Sequence, residues 1–213
     1  MLVTVLGASG RTGFHVVRLL RRQGHDVRAG LRSQGRGEQV AALGAVPVVA
    51  DITADADDLV EALAGSDVVI NTAGASDPDP SAVNLVDRDG AISAIRAAEK
   101  AGVARYLQLS AQFADSPDQG DRLVRSILLA KQASDAILQR SSLTWTLVRP
   151  GTLTDDVGTG RVKVGNHLEP GRVSRQDVAA VLVGALTEQL TENRGFDVLG
   201  GDVPVSVALA GIG

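Results

Sequence analysis

Three glycines near the start of the chain carry the first chemical signal. Gly7-Ala8-Ser9-Gly10-Arg11-Thr12-Gly13 has the spacing G-x-x-G-x-x-G and lies between an apolar β-prone run, Leu2–Leu6, and a helical stretch, Arg11–Gln23. This spacing suits a pyrophosphate. One glycine permits the tight turn, one lets the backbone approach the phosphates, and one packs helix against strand. The helix start then faces the anion with free N–H groups and a partial positive charge. Ser9, Arg11 and Thr12 occupy the loop between the glycines and belong to the same candidate site. The strand-turn-helix setting gives the motif its specificity. No Gly-Lys-Ser/Thr follows, so this is not a nucleoside-triphosphate loop.

The end of the second β-rich run, Asp26–Leu31, decides which dinucleotide fits. A carboxylate about 20 positions after the glycines would hold the ribose 2′-hydroxyl of NAD. The chain instead reads Gly30-Leu31-Arg32-Ser33, with no carboxylate until Glu38. Arg32 can pair with a 2′-phosphate through its guanidinium fork. Ser33 can donate a hydroxyl, Arg11 can approach from the other side, and Arg36 is a weaker candidate. The expected cofactor is NADP(H).

The elements that position these residues alternate. β-rich runs at Leu2–Leu6, Asp26–Leu31, Val46–Ala50, Asp67–Asn71, Arg105–Ser110, Thr144–Val148 and Phe196–Leu199 are separated by helical stretches. Those stretches are Arg11–Gln23, Glu38–Leu43, one around Leu59–Leu63, Val83–Lys100, Asp121–Gln139 and Val178–Leu186. Several runs are apolar throughout, as when helices cover both faces of a sheet. The alternation predicts a single α/β domain over residues 1–213, with a doubly wound parallel sheet and helices on both faces. Three loops follow the carboxyl ends of strands, at Ala75–Ser81, Gln112–Asp121 and Asp155–Gly171. Loops around 112–121 and 154–172 are expected to form a small substrate-side region.

Composition narrows the classes. The 213 residues are 44% hydrophobic and 22% charged, with a net charge of -4 and no cysteine. An acidic chain lacks the basic face that nucleic acid requires. Disulfides, thiolate metal sites and cysteine nucleophiles are excluded. His15, His25 and His167 have no ligand spacing, so no metal site is expected. No G-x-S-x-G nucleophile elbow is present. No leader is visible, and no apolar run approaches the roughly 20 residues of a membrane span. A cytoplasmic chain is expected.

Taken together, the motifs resemble the atypical short-chain dehydrogenase/reductases. The likeness is nearest to small NAD(P)H-binding proteins related to flavin/biliverdin reductase and to nitrogen-metabolite-repressor-like proteins. The residues that carry it are the glycine loop, Asp51-Ile52, Asn71-Thr72-Ala73-Gly74, Leu107-Gln108-Leu109-Ser110, Val148-Arg149-Pro150-Gly151 and Val173-Ser174-Arg175-Gln176-Asp177-Val178-Ala179. The resemblance implies a Rossmann fold and several roles. Asp51 would accept from the adenine amino group, with Ile52 flanking the ring. Asn71, Thr72, Ala73 and Gly74 would run past the ribose and pyrophosphate. Ser110 would sit beside the nicotinamide, and Lys131 would hold the nicotinamide ribose hydroxyls. Pro150 and Gly151 would bring backbone groups to the carboxamide. Asp51 and Ser110 have an alternative as loop-capping residues. Ser174 reads as a helix cap, with Asp177 three residues on.

One departure limits the chemistry. Enzymes of this superfamily usually carry Tyr-x-x-x-Lys on the helix after the fifth strand, the tyrosine exchanging the proton. Here the stretch is Ile127-Leu128-Leu129-Ala130-Lys131. Ile127 and Lys131 share one helix face, but an isoleucine cannot exchange a proton. Tyr106, the only tyrosine, lies at the start of the fifth strand. The expected function is an NADPH-dependent reductase of an acceptor such as a flavin or quinone, with Ser110 and Lys131 at the reacting end. The alternative is a non-catalytic NADP(H) sensor acting through a protein partner. Sugar-nucleotide epimerisation is the least favoured reading.

Overall fold

The glycine loop sits where strand-helix alternation requires, at the carboxyl edge of a parallel sheet. The computed structural model describes residues 1–54, 56–121 and 124–212. Strand β1 (Leu2–Leu6) enters the loop and α1 (Arg11–Arg22) leaves it. β2 (Asp26–Leu31), α2 (Gly37–Ala41), β3 (Val46–Val49), α3 (Ala56–Leu63) and β4 (Val68–Asn71) follow. Next come α4 (Pro80–Val83), a π-helical segment (Asn84–Gly90) and α5 (Ala91–Lys100). Then come β5 (Arg105–Leu109), α6 (Arg125–Leu138), β6 (Thr144–Pro150), β7 (Thr152–Thr154), β8 (Arg161–Gly165) and β9 (Arg172–Ser174). The chain finishes with α7 (Arg175–Gly184), β10 (Arg194–Gly200), β11 (Val203–Pro204) and α8 (Val205–Ala210).

Nine strands make one sheet in the order β11-β8-β10-β6-β5-β4-β1-β2-β3, and β7 and β9 form a separate pair. Every pairing from β3 across to β10 is parallel. β8 is antiparallel to both β10 and β11. The parallel, doubly wound sheet expected from the alternation is therefore present, and β8 joins its edge antiparallel to its neighbours, with β9 and α7 lying between β8 and β10 in the chain. Strand order reverses beside β1, between β2 and β4, which opens the crevice where such sheets bind ligands.

Burial explains the apolar runs. Val3 and Val5 of β1 pack with Val16, Val17 and Leu20 of α1 and Val181 and Leu182 of α7. Leu6 faces the other way, with Leu59 and Leu63 of α3 and Ala94, Ile95 and Ala98 of α5. Both faces are covered, so alternation gives way to continuous hydrophobicity. Among the described residues no helix is long and apolar enough to cross a membrane.

Three helix starts lie three or four residues from the sequence reading. The helix expected from Val83 starts at Pro80, because Asp79 caps it by accepting from Ser81 N at 2.9 Å. That helix is also interrupted by the π-helical segment. The helix expected from Asp121 begins at Arg125, and part of the expected start, residues 122–123, lies outside the described residues. The last long helix begins at Arg175, capped by Ser174, whose Oγ accepts from Asp177 N at 3.0 Å.

Asp177 also anchors the loop between β7 and β8. Its buried carboxylate accepts from Ser174 Oγ at 2.8 Å, Thr159 N at 3.1 Å and Gly160 N at 2.7 Å. Removing a charged acceptor of this kind leaves buried donors unpaired. Asp177→Ala is expected to lower unfolding free energy by about 1.5–3 kcal/mol in a urea titration. Protection of the 157–160 amides from hydrogen exchange should fall with it.

Candidate functional site

Each of the loop's glycines answers a different steric demand. Gly7 has φ +70°, and a Cβ there would lie 2.7 Å from Ala73 N. A Cβ on Gly13 would overlap Gly7 O and stand 2.6 Å from Thr72 Oγ1. Gly7 and Gly13 thus let β1, α1 and the segment after β4 touch. Gly10 differs: its φ is -73°, and a Cβ there would meet only Gly7 O, at 3.0 Å. The space it leaves faces solvent rather than protein. Gly10 is the N-cap of α1, with no side-chain cap and no acidic residue in the first turn. The orphan N–H groups of that turn are left for an anion.

The segment after β4 is held from several sides. Thr72 Oγ1 donates to Leu6 O at 2.8 Å, and Asn71 Oδ1 accepts from Ala73 N at 3.0 Å. Asp87, in the π-helical segment, accepts from Ala75 N at 3.0 Å and pairs with Lys131 Nζ at 2.9 Å. The two side chains of that pair are 5% and 9% exposed. Lys131 Nζ also donates to Leu109 O at 3.1 Å. One buried ion pair therefore ties the β4 loop to α6 and to the end of β5. A Cβ on Gly74 would approach Asp87 Oδ1 to 3.2 Å.

Ser110 follows β5 and is buried, with Oγ donating to Asp135 Oδ2 at 2.6 Å. Gln108 Nε2 donates to Asp135 Oδ1 at 2.9 Å. Arg149 Nε lies 3.8 Å from Asp135 Oδ2, while Arg149 Nη1 bonds Asp115. Burial pushes the Asp135 carboxyl above its ordinary range, against the pull of Ser110, Arg149, Gln108 and Lys131. Asp197 is also pushed up, by burial and then by the nearby Asp115 charge, against the Leu168 N–H it accepts at 2.9 Å.

The remaining expected residues divide by environment. Arg32 and Ser33 are exposed just past β2, whose Gly30 O accepts from Ala8 N of the glycine loop at 3.2 Å. Arg11 extends to the opposite side, donating to Asp155 Oδ2 at 3.1 Å; Asp155 Oδ1 accepts from Arg175 at 2.7 Å. Asp155 follows β7, on the β6 side of β1, so Arg11 and Arg32 diverge. Asp51 Oδ1 accepts from Thr53 N at 2.9 Å and Thr53 Oγ1 at 2.8 Å, a local turn. Ile52 is buried, and a Cβ on Gly90 would meet its Cγ1 at 2.9 Å. Pro150 O accepts from Gln112 N, and Gly151 N donates to Val198 O. Tyr106 is fully buried, and burial pushes its phenol upward, which removes it as a proton donor. Among the described residues no three His, Asp or Glu side chains are grouped for a metal ion.

A family model described as NAD(P)H-binding matches residues 7–189. The chain belongs to this NAD(P)H-binding family. It is 37% identical over 211 residues to "Uncharacterized sugar epimerase YhfK" of Bacillus subtilis, covering 98% of this chain and 99% of that one. It is 28% identical over 208 residues to the NAD(P)H azoreductase of Xenophilus azovorans, covering 93% of this chain and 68% of the relative. Among solved structures, the oxidoreductase YlbE of Lactococcus lactis superposes with TM-score 0.88 at 26% identity, covering 98% and 95% of the two chains.

The uncapped first turn of α1 and the solvent-facing space at Gly10 suit a diphosphate. The sequence reading missed Asp87 and Asp135, and it quoted Arg149 in a motif without giving it a role. Asp135 had a findable signal, since it stands four residues after Lys131 on the same helix face. Asp87 had none, because the π-helical segment breaks the periodicity that would place it.

Two outcomes follow from this geometry. Gly10→Val should fold normally yet lose dinucleotide binding in calorimetry, whereas Gly13→Val should fail to fold stably. Lys131→Met leaves Asp87 buried and unpaired, and should cost about 3–5 kcal/mol of unfolding free energy.

Proposed function

We propose that this chain uses NADPH to reduce a small acceptor, such as a flavin or quinone, that takes a hydride without a phenolic proton donor. The observation that carries this reading is the state of α6. Ile127 stands where a tyrosine would exchange a proton, and the ammonium of Lys131 is held by Asp87 and Leu109 O. The exposed Arg32 and Ser33, with no carboxylate beside them, favour a 2′-phosphate on the adenosine ribose. Gly7–Gly13 would hold the diphosphate, and the β4 loop Asn71–Gly74 would flank it. Asp51 and Ile52 would border the adenine, with Pro150 and Gly151 at the carboxamide end.

When bound, NADPH supplies the hydride; the protein orients it and shields the site. Ser110 would border the acceptor at the carboxyl end of β5. Lys131 acts here by positioning the β4 loop. A ketone would develop an alkoxide that needs a nearby acid, and this site has no phenol to provide one. Flavins and quinones disperse the charge and are protonated from water. The azoreductase relative supports a reducing role for this family. The epimerase name of the Bacillus subtilis relative is not carried over, because oxidising a sugar alcohol needs a base at the position of Ile127.

NADPH oxidation should be measured against flavins, quinones, ketones and aldehydes. Turnover is expected with flavins or quinones, and little with simple carbonyls. Failure to oxidise NADPH with any of these acceptors would instead support a non-catalytic NADP(H) sensor acting through a protein partner. Calorimetry should show NADPH binding more tightly than NADH. Arg32→Glu should weaken NADPH by about 1.5–3 kcal/mol while leaving NADH nearly unchanged. Equal affinities for the two cofactors in the unaltered protein would overturn the NADP assignment.

A further inference from the structure

Ser110 has one hydroxyl proton, and the charge of Asp135 decides where it points. Its Oγ lies 2.6 Å from Asp135 Oδ2, and an ionised carboxylate can only accept. Toward an ionised Asp135 the hydroxyl donates inward, and only its lone pairs remain for anything else. We infer that Asp135 sets the polarity of Ser110, so that the end of β5 offers a hydrogen-bond acceptor and selects ligands carrying an O–H or N–H donor, such as a quinol or a reduced flavin. This rests on the reading in which Ser110 borders the acceptor. Asp135 is a positioning residue, acting through Ser110.

The surroundings hold this arrangement in place. From β5, Gln108 Nε2 donates to Asp135 Oδ1 at 2.9 Å and to Ser134 Oγ at 3.2 Å. From β6, Arg149 Nε lies 3.8 Å from Asp135 Oδ2, and the same guanidinium bonds Asp115. On α6 itself Lys131 faces the carboxylate one turn away, with its charge offset by Asp87 of the π-helical segment. No other hydroxyl is bonded to Asp135 among the described residues. The polarity of Ser110 thus follows the charge of one carboxyl group. Ionised, Asp135 draws the proton inward. Protonated, it donates to Ser110 and turns the serine proton toward the site. Since burial raises the Asp135 pKa, the acceptor state prevails above that raised value and gives way to the donor state as pH falls through it.

The test is calorimetric binding of hydroquinone and of its dimethyl ether to the protein saturated with NADP⁺. The two probes share a ring but differ in donor capacity. Hydroquinone should bind about tenfold more tightly than the ether to the unaltered protein, the value of one hydrogen bond. Asp135→Asn can donate from its amide to Ser110 Oγ and free the serine proton, so the preference should vanish or reverse. Ser110→Ala should abolish it with Asp135 intact, and covers the case in which Asp135→Asn folds poorly. In the unaltered protein the preference should fade on acidification; in Asp135→Asn it should not depend on pH. Equal binding of the two probes, or failure of both to bind, overturns the inference. So does an undiminished preference in Ser110→Ala. Because binding needs no turnover, an absence of quinone reduction would overturn the reductase reading separately.

Discussion

The buried pair of Asp87 and Lys131 joins the elements on which the site depends. At 2.9 Å, with both side chains nearly excluded from water, it connects the π-helical segment to α6. Each partner has a second bond to backbone: Asp87 to Ala75 N and Lys131 to Leu109 O. The ends of β4 and β5 are thereby fixed relative to each other. Isolated burial of either charge would cost several kcal/mol, so the two residues are structurally inseparable. The β4 loop in turn lies against Gly7, where no Cβ can be accommodated. Backbone contact at the glycine loop and charge pairing behind it therefore support one another.

The pairing has a chemical consequence. A lysine whose ammonium is bonded to a buried carboxylate is poorly placed to lower the pKa of a neighbouring phenol, and this chain has isoleucine where that phenol would stand. Isoleucine at position 127 and the engagement of Lys131 are mutually consistent. Near the end of β5 the buried polar side chains include Ser110, Asp135 and Arg149, all hydrogen-bonded. Such a network is ordered because each member is partnered, and one altered protonation state changes what its neighbours can donate.

The fold was legible in the sequence because local signals agreed with the global topology. β1 and β2 appear with the boundaries read from their apolar runs, and α1 begins at Arg11, straight after the glycine turn. The carboxyl-terminal edge was harder. β8 and β11 are short, partly exposed strands whose pairing depends on β10, a long-range contact with no local periodicity. At the candidate site the directions of side chains were not legible. Arg11 was read as able to approach a 2′-phosphate from the other side, and its guanidinium donates to Asp155, a partner far along the chain. Pro150 and Gly151 were placed by their motif, while the hydrogen bonds that engage Pro150 O and Gly151 N come from the loop after β5 and from β10. Pairing across the sheet decides such directions.

The contrast between α1 and α7 shows where an anion is favoured. The two helices pack together on one face of the sheet. Both follow directly from strands, so both carry orphan N–H groups and partial positive charge at their starts. At α7 these are answered internally. Ser174 caps the helix, Asp177 lies in its first turn, and Asp155 pairs with Arg175. At α1 the cap is Gly10, the first turn contains no acid, and the adjoining side chain is the cation Arg11. Equivalent helix starts have thus been treated oppositely by sequence. Supplying a carboxylate at α1 would stabilise an isolated helix, and its absence there leaves the positive end of the dipole for a ligand. Arg11, bonded to Asp155 at 3.1 Å with both groups largely exposed, adds to that field at little cost, because an exposed ion pair is weak and readily exchanged.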